Sequence, residues 1–169
     1  MLCAGLYPNV AKLSRAGKRD FYFSTATERR IGLHPKSINS GTPIFETSQW
    51  VVYYEMVRLN NKPCLMECSL IPAFPIMFFG GALGKRKMGD GELVPMYEAA
   101  TVDEWITFQC DWKYADLIER LRRQLDEVLE YKISHPSVSN WNTHTKEGAT
   151  LRAIVDILSE ERMVATNQM

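Results

Sequence analysis

The sequence predicts a mainly β fold with α-helices appended: a small sandwich or barrel followed by two C-terminal helices. Three observations lead there. From Tyr7 to about Phe108 the chain reads as short aromatic and β-branched segments broken by Gly, Pro, Asn and Ser clusters. From Trp112 onward the apolar period changes to steps of three and four. The length of 169 residues suits one domain with a sizeable core.

Val10–Leu13 is the first candidate strand. Asp20–Thr25 is aromatic and partly β-branched, and Arg30–His34 alternates as a half-buried strand does. Trp50–Arg58 carries the strongest strand signal, Cys64–Leu70 is a further candidate, and Trp105–Phe108 reads as a closing strand. The Gly80-Gly81 pair ends the apolar segment Ile76–Phe79. Lys85–Gly91 joins three adjacent basic residues to glycines and reads as an exposed loop, and Ser134–Lys146 reads as a polar loop around Trp141. The first helix, capped by Asp111 and stopped by His135-Pro136, gathers Tyr114, Leu117, Ile118, Leu121, Leu125, Val128 and Leu129 on one stripe. The second, about Glu147 to Arg162, buries Leu151, Ile154, Val155 and Leu158. Met1–Leu6 reads as the tail of an upstream helix, so the chain is expected to be a C-terminal piece of something longer.

Apolar residues make up 46% and charged residues 24%, which excludes a disordered or collagen-like chain. No apolar run approaches the roughly 18 residues of a membrane span, and a soluble protein of the cytoplasm, the nucleus or both is expected. The four cysteines (Cys3, Cys64, Cys68, Cys110) have neither a disulfide framework nor zinc-ligand spacing and are expected to be reduced thiols in or near the core. Net charge is zero, yet residues 1–100 hold 12 Lys and Arg against 8 Asp and Glu, while residues 101–169 hold 8 against 12. That asymmetry hints at a basic surface for a phosphate-rich partner.

Chemistry-bearing motifs are missing. There is no Gly-x-x-x-x-Gly-Lys-Ser/Thr phosphate loop and no Gly-x-Ser-x-Gly elbow, and Asp103-Glu104 reads as a turn. His34, His135 and His144 form no metal set with carboxylates. The expectation is a binding module with no catalytic residues, no metal and no cofactor of its own.

The segment Arg30–Asn39 is the densest in hydrogen-bonding side chains. Pro35 fixes its own φ and holds His34 extended, so the turn is stiff. His34 and Asn39 are suited to base edges, Lys36 to a phosphate and Ser37 to either. A stiff polar turn at a sheet rim holds single-stranded nucleic acid at small ordering cost. The competing reading has Ser37 or Asn39 closing the turn internally and the His34 ring packed on a neighbour. On composition alone, that second reading is favoured.

Leu2–Val10, Leu33–Asn39, Trp50–Met56 and Met77–Gly81, four motifs in order, together resemble the C-terminal region of DEAH-box (DEAH/RHA) RNA helicases. Val102–Gln109 and Ser134-His-Pro look most like the G-quadruplex-resolving branch, and Ala149–Ile154 is also similar to the germline branch with the YTH-domain helicase. Met66–Ser69 departs from the Arg-Asp-Cys-Thr run of many members.

The resemblance implies the end of a ratchet-domain helix at 1–6, an OB-fold five-stranded β-barrel over 7–109, and a helical extension packed on the barrel over 110–169. It implies an RNA-binding accessory domain that contacts single-stranded RNA or a G-quadruplex and packs on the motor and ratchet domains of the same polypeptide. ATP and magnesium would belong to that motor. The alternative is a protein-interaction module of a germline RNA-regulatory adaptor with a degenerate motor. With the family in view, the balance at the turn passes to RNA contact through His34, Lys36, Ser37 and Asn39. Tyr7 and Asn9 become candidates where the chain begins the barrel, Lys85, Arg86 and Lys87 as a basic tip, and Tyr22 and Tyr54 as more remote stacking candidates.

Overall fold

The computed structural model describes residues 1–15, 21–40, 49–89, 97–137 and 145–166. Trp141, His144 and the Gly91 end of the basic segment lie outside the described residues. The chain divides into two compact units, Met1–Gly81 and Ala82–Val164.

The first unit starts with α1 (Leu2–Leu6), whose Cys3 thiol donates to the carbonyl of Pro75 at 3.4 Å in α2 (Ala73–Phe79). A four-stranded sheet has the order β2 (Phe21–Ser24), β1 (Val10–Arg15), β4 (Trp50–Tyr53), β7 (Cys68–Ile71). A three-stranded sheet has the order β3 (Gly32–Leu33), β6 (Lys62–Leu65), β5 (Met56–Leu59), with β3 parallel to β6. Phe23 and Ile31 exchange two backbone hydrogen bonds of 2.8 Å, linking β2 to the approach of β3. The core holds Ala11, Leu13, Phe23, Ile31, Val51, Tyr53, Leu65 and Cys68, drawn from both sheets.

Two segments expected as single strands, Trp50–Arg58 and Cys64–Leu70, are each broken in two. The cause is a shared bend. Trp50 pairs with Ile71 and Tyr53 with Cys68, and beyond the break Met56 pairs with Leu65 and Leu59 with Lys62, so the register never slips. At the bend Tyr54 N–H donates to Glu67 O at 2.8 Å and Met66 N–H to Glu55 O at 3.0 Å. Residues 50–71 therefore form one long antiparallel hairpin, bent in the middle and closed at Asn60-Asn61. Both turn residues have positive φ (48° and 65°), the backbone that two-residue hairpin turns need and asparagine tolerates.

The second unit carries a three-stranded antiparallel sheet ordered β10 (Ile106–Gln109), β9 (Tyr97–Val102), β8 (Leu83–Met88). Trp105–Phe108, expected to close a barrel, falls largely in β10 and pairs with β9 instead. The Lys85–Gly91 segment, expected as an exposed loop, is strand as far as Met88. Gly84 and three adjacent cations hid it, because the two apolar residues of β8, Leu83 and Met88, fall on opposite faces and mark no apolar face. Asp103 and Glu104, both at positive φ, make the β9–β10 turn, and Asp103 Oδ1 accepts the Ala82 N–H at 2.7 Å.

α3 (Trp112–Ser134) begins where expected: Asp111 accepts the Lys113 N–H at 2.9 Å, and His135 closes the helix. Its buried residues are Ala115, Ile118, Leu125 and Val128. Tyr114 at 60%, Leu117 at 50% and Leu129 at 43% exposed lie outside that stripe, contrary to the expected face. The small Ala115, not the larger Tyr114, lets the first turn approach the sheet. α4 (Lys146–Thr166) buries Ile154 but leaves Val155 exposed, again trimming the expected stripe.

Two tests follow from the second unit. A Cβ on Gly84 would meet Thr101 Oγ1 at 2.8 Å, and Thr101 is buried and β-branched. Gly84→Ala is expected to lower urea stability by about 1–3 kcal/mol, and Thr101→Ser in the same chain does not relieve it whereas Thr101→Ala does. The Asp111 carboxyl lies below its ordinary 3.8, chiefly through the Lys113 backbone N–H it accepts and also through the Lys113 ammonium. A depressed folded value means its stabilisation is present above 3.8 and is lost as pH falls through the lower folded value. Asp111→Ala is therefore expected to destabilise at neutral pH and to lose less on acidification than the parent, read from urea midpoints across that range.

Candidate nucleic-acid interface

Proline at position 35 sets the corner. β3 leads into it with His34 N–H donating to Leu65 O at 2.9 Å, and Ser37 N–H returns to His34 O at 2.9 Å. His34 Nδ1 accepts the Lys36 N–H at 3.1 Å. In the neutral ring that leaves Nε2 as the protonated nitrogen, and it has no partner among the described residues. Lys36 is exposed and forms no ion pair among the described residues.

Ser37 and Asn39, expected as contacts, are buried at 7% and 9% exposure. Ser37 Oγ accepts the Asn39 N–H at 3.4 Å, and Asn39 Nδ2 donates to Cys68 O at 2.6 Å and to Cys68 Sγ at 3.5 Å. The physical reason is the sheet edge: β7 is the edge strand, so the Cys68 carbonyl has no strand to supply its donor, and the Asn39 amide does so. Cys68 is held as a thiol by burial, which raises its pKa, with the Asn39 bond partly offsetting this. The expected turn residues thus separate into two that hold the corner and two that face outward.

Tyr7 and Asn9 approach the same hairpin from its other side. Asn9 O accepts the Tyr53 N–H at 3.0 Å, and Asn9 Nδ2 donates to Tyr54 O at 3.3 Å. Tyr7 is half-buried and its N–H closes α1 on Cys3 O at 3.0 Å. The bend at 54–55 and 66–67 is therefore flanked by Tyr7–Asn9 on the β4 side and by His34–Asn39 on the β7 side. Tyr54 stands between them, 67% exposed, with its neighbour Tyr53 in the core. Tyr22 is half-buried on β2, away from this bend.

The bend also carries two exposed carboxylates, Glu55 and Glu67, which sequence reading did not weigh. The signal was available in the alternation: Tyr53 and Cys68 point inward, so Tyr54 and Glu67, opposite each other in the ladder, point outward.

Lys85, Arg86 and Lys87 belong to the second unit and are a strand face, not a tip. Lys85 pairs with Asp116 and, at 3.2 Å, with Glu119 of α3, and the Asp116 hydrogen bond leads the causes that raise its pKa. Lys87 Nζ lies 5.4 Å from the Trp112 ring centroid, a cation–π distance. Arg86, on the opposite face of β8 by strand alternation, forms no ion pair among the described residues. Among the described residues no group of three His, Cys, Asp or Glu could hold a metal ion.

Comparison with known proteins identifies the class. Residues 1–83 match the model of an oligonucleotide/oligosaccharide-binding (OB) fold, and residues 98–160 match that of the C-terminal domain in RNA helicases. The chain is 34% identical over 165 residues to the ATP-dependent DNA/RNA helicase DHX36 of Homo sapiens, covering 95% of this chain and 16% of that protein. It is 31% identical over 164 residues to the DExH-box ATP-dependent RNA helicase DExH1 of Arabidopsis thaliana (96% of this chain, 15% of the relative). It is also 31% identical over 144 residues to the ATP-dependent RNA helicase DHX29 of Homo sapiens (82% of this chain, 10% of the relative). The chain belongs to the OB-fold-bearing C-terminal region of DEAH-box RNA helicases, and it spans about a sixth or less of the length of these relatives.

The division of roles within the corner is testable. Asn39→Ala leaves the Cys68 carbonyl without its donor and is expected to cost about 1–3 kcal/mol in urea unfolding. Lys36→Ala, at an exposed position without an ion pair among the described residues, is expected to stay within about 0.5 kcal/mol of the parent.

Proposed function

We propose that this chain is a non-catalytic nucleic-acid-binding module of an ATP-dependent RNA helicase, contacting single-stranded RNA or a G-quadruplex with the corner at His34–Lys36. The carrying observation is the orientation of that corner. Its backbone and two of its side chains are tied into the fold, so the half-buried His34 ring and the exposed Lys36 start from a backbone that needs no further ordering. Beside them, Tyr54 gives an exposed ring suited to stacking on a base, and the Asn9 flank bounds the bend. ATP and magnesium are assigned to the motor of the parent polypeptide, with which this region packs, and none of the chemistry is assigned to this chain.

A base stacked on Tyr54 would have Nε2–H of His34 as a donor for its edge and Lys36 as the cation for a neighbouring phosphate. A module of this size with so few contacts is expected to bind in the micromolar range or weaker. Titration of the chain with single-stranded and G-quadruplex RNA at two salt concentrations tests the reading. His34→Ala/Lys36→Ala is expected to weaken binding about tenfold, or about 1.4 kcal/mol. Unchanged binding by the double variant removes the corner from the interface.

A further inference from the structure

The cations of the first unit do not gather where the corner is. Beyond β1, its described charged residues are Arg29, Arg30, Lys36, Arg58 and Lys62 against Glu28, Glu55 and Glu67. Two of the three carboxylates, Glu55 and Glu67, stand exposed at the bend that the corner flanks. The corner is therefore poorly suited to electrostatic capture of a polyanion, however well its donors are aimed.

The other four cations meet at the far end of the bent hairpin. The Asn60-Asn61 turn brings Arg58 and Lys62 to its tip. β3 runs parallel to β6 with Gly32 level with Cys64, so the segment that leads into it approaches from the tip end of the hairpin. Arg58 donates to Glu28 Oε1 at 2.7 Å, fastening the segment before β3 to the tip. Arg29, Arg30, Arg58 and Lys62 are all exposed, and Glu28 is the one carboxylate among the described residues of this end.

We propose that this tip is the principal phosphate-binding surface of the unit, holding the sugar-phosphate backbone of the same single strand whose base meets the His34–Lys36 corner. This deepens the nucleic-acid reading above and rests on it. Three residue steps along β6 separate Lys62 from Leu65, the residue that holds His34. At about 3.3 Å per step the tip and corner stand about 10 Å apart along the strand, a span that one short oligonucleotide covers. Phosphate is favoured over an acidic protein surface because a protein interface needs apolar anchors at its centre. At this tip the exposed large apolar residue is Leu59, at 39%. Guanidinium groups suit phosphate oxygens, which they bind in pairs.

The experiment titrates the full chain with an unstructured single-stranded RNA and follows affinity against salt. Arg29→Gln/Lys62→Gln leaves the Arg58–Glu28 pair intact and should keep the parent's thermal midpoint. Losing two phosphate contacts is expected to reduce the slope of log K against log salt by about 1.4, against about 0.7 for Lys36→Gln. Affinity at low salt falls more in the tip variant than in the corner variant. Arg123→Gln/Arg152→Gln, with the same charge change on α3 and α4, keeps the parent slope. A tip variant that binds RNA with the parent slope overturns this inference and leaves the corner reading standing. No RNA binding by the parent chain overturns both. Parent binding to poly-glutamate that exceeds binding to RNA, and is lost in the tip variant, assigns the surface to an acidic protein and also overturns it.

Discussion

The uninterrupted register of the 50–71 hairpin is the constraint on which the first unit depends. Its pairing from Trp50–Ile71 to Leu59–Lys62 survives a bend that interrupts both strands, because the backbone bonds of Tyr54 to Glu67 and of Met66 to Glu55 continue across it. A slip of one residue would turn Tyr53, Cys68 and Leu65 out of the core and bring Tyr54 and Glu67 in. The same register seats the neighbours. β1 lies on the β4 half and delivers Asn9 to the bend, while β3 lies on the β6 half and delivers His34. The three parts of the interface are consequences of one ladder.

Within that frame, polar side chains divide by what the backbone needs. Asn39 is buried because the carbonyl of Cys68, in the edge strand β7, requires a donor, and Ser37 follows it inward by accepting the Asn39 N–H. His34 turns Nδ1 to its own turn, accepting the Lys36 N–H. Charge divides in a similar way. The bend carries the exposed carboxylates Glu55 and Glu67, whereas the exposed cations Arg58 and Lys62 lie at the hairpin tip.

Much of this was legible in the sequence. Aromatic and β-branched runs gave the strands at Phe21, Trp50 and Ile106, and Asp111 and His135-Pro136 marked the ends of α3 to within a residue. The stiffness of the 34–39 turn could be read from Pro35. Internal closure through Ser37 or Asn39 was the reading that composition favoured, and the Ser37–Asn39 bond bears it out; the second partner of Asn39, Cys68, could not be read, because it is 29 residues away and meets Asn39 through tertiary pairing. β8 was missed because Gly84 and three adjacent cations carry loop chemistry in a strand where Lys85 and Lys87, but not Arg86, meet partners on α3. The α3 stripe was drawn too wide, since steps of three and four admit both Tyr114 and Ala115, and only close approach to the sheet selects the smaller residue. The tip cluster was hidden for the same reason as Asn39: the segment at Glu28 is distant in sequence from Arg58 and is fastened to it by a tertiary ion pair.

Backbone amide shifts of the isotope-labelled chain, followed as single-stranded RNA is added, test the central claim most directly. The account expects the largest changes at His34, Lys36, Tyr54 and Glu67, extending to Arg58 and Lys62, with α3 and α4 little moved. Changes confined to β8, α3 or α4, with the bend and its corner silent at saturating RNA, would contradict it.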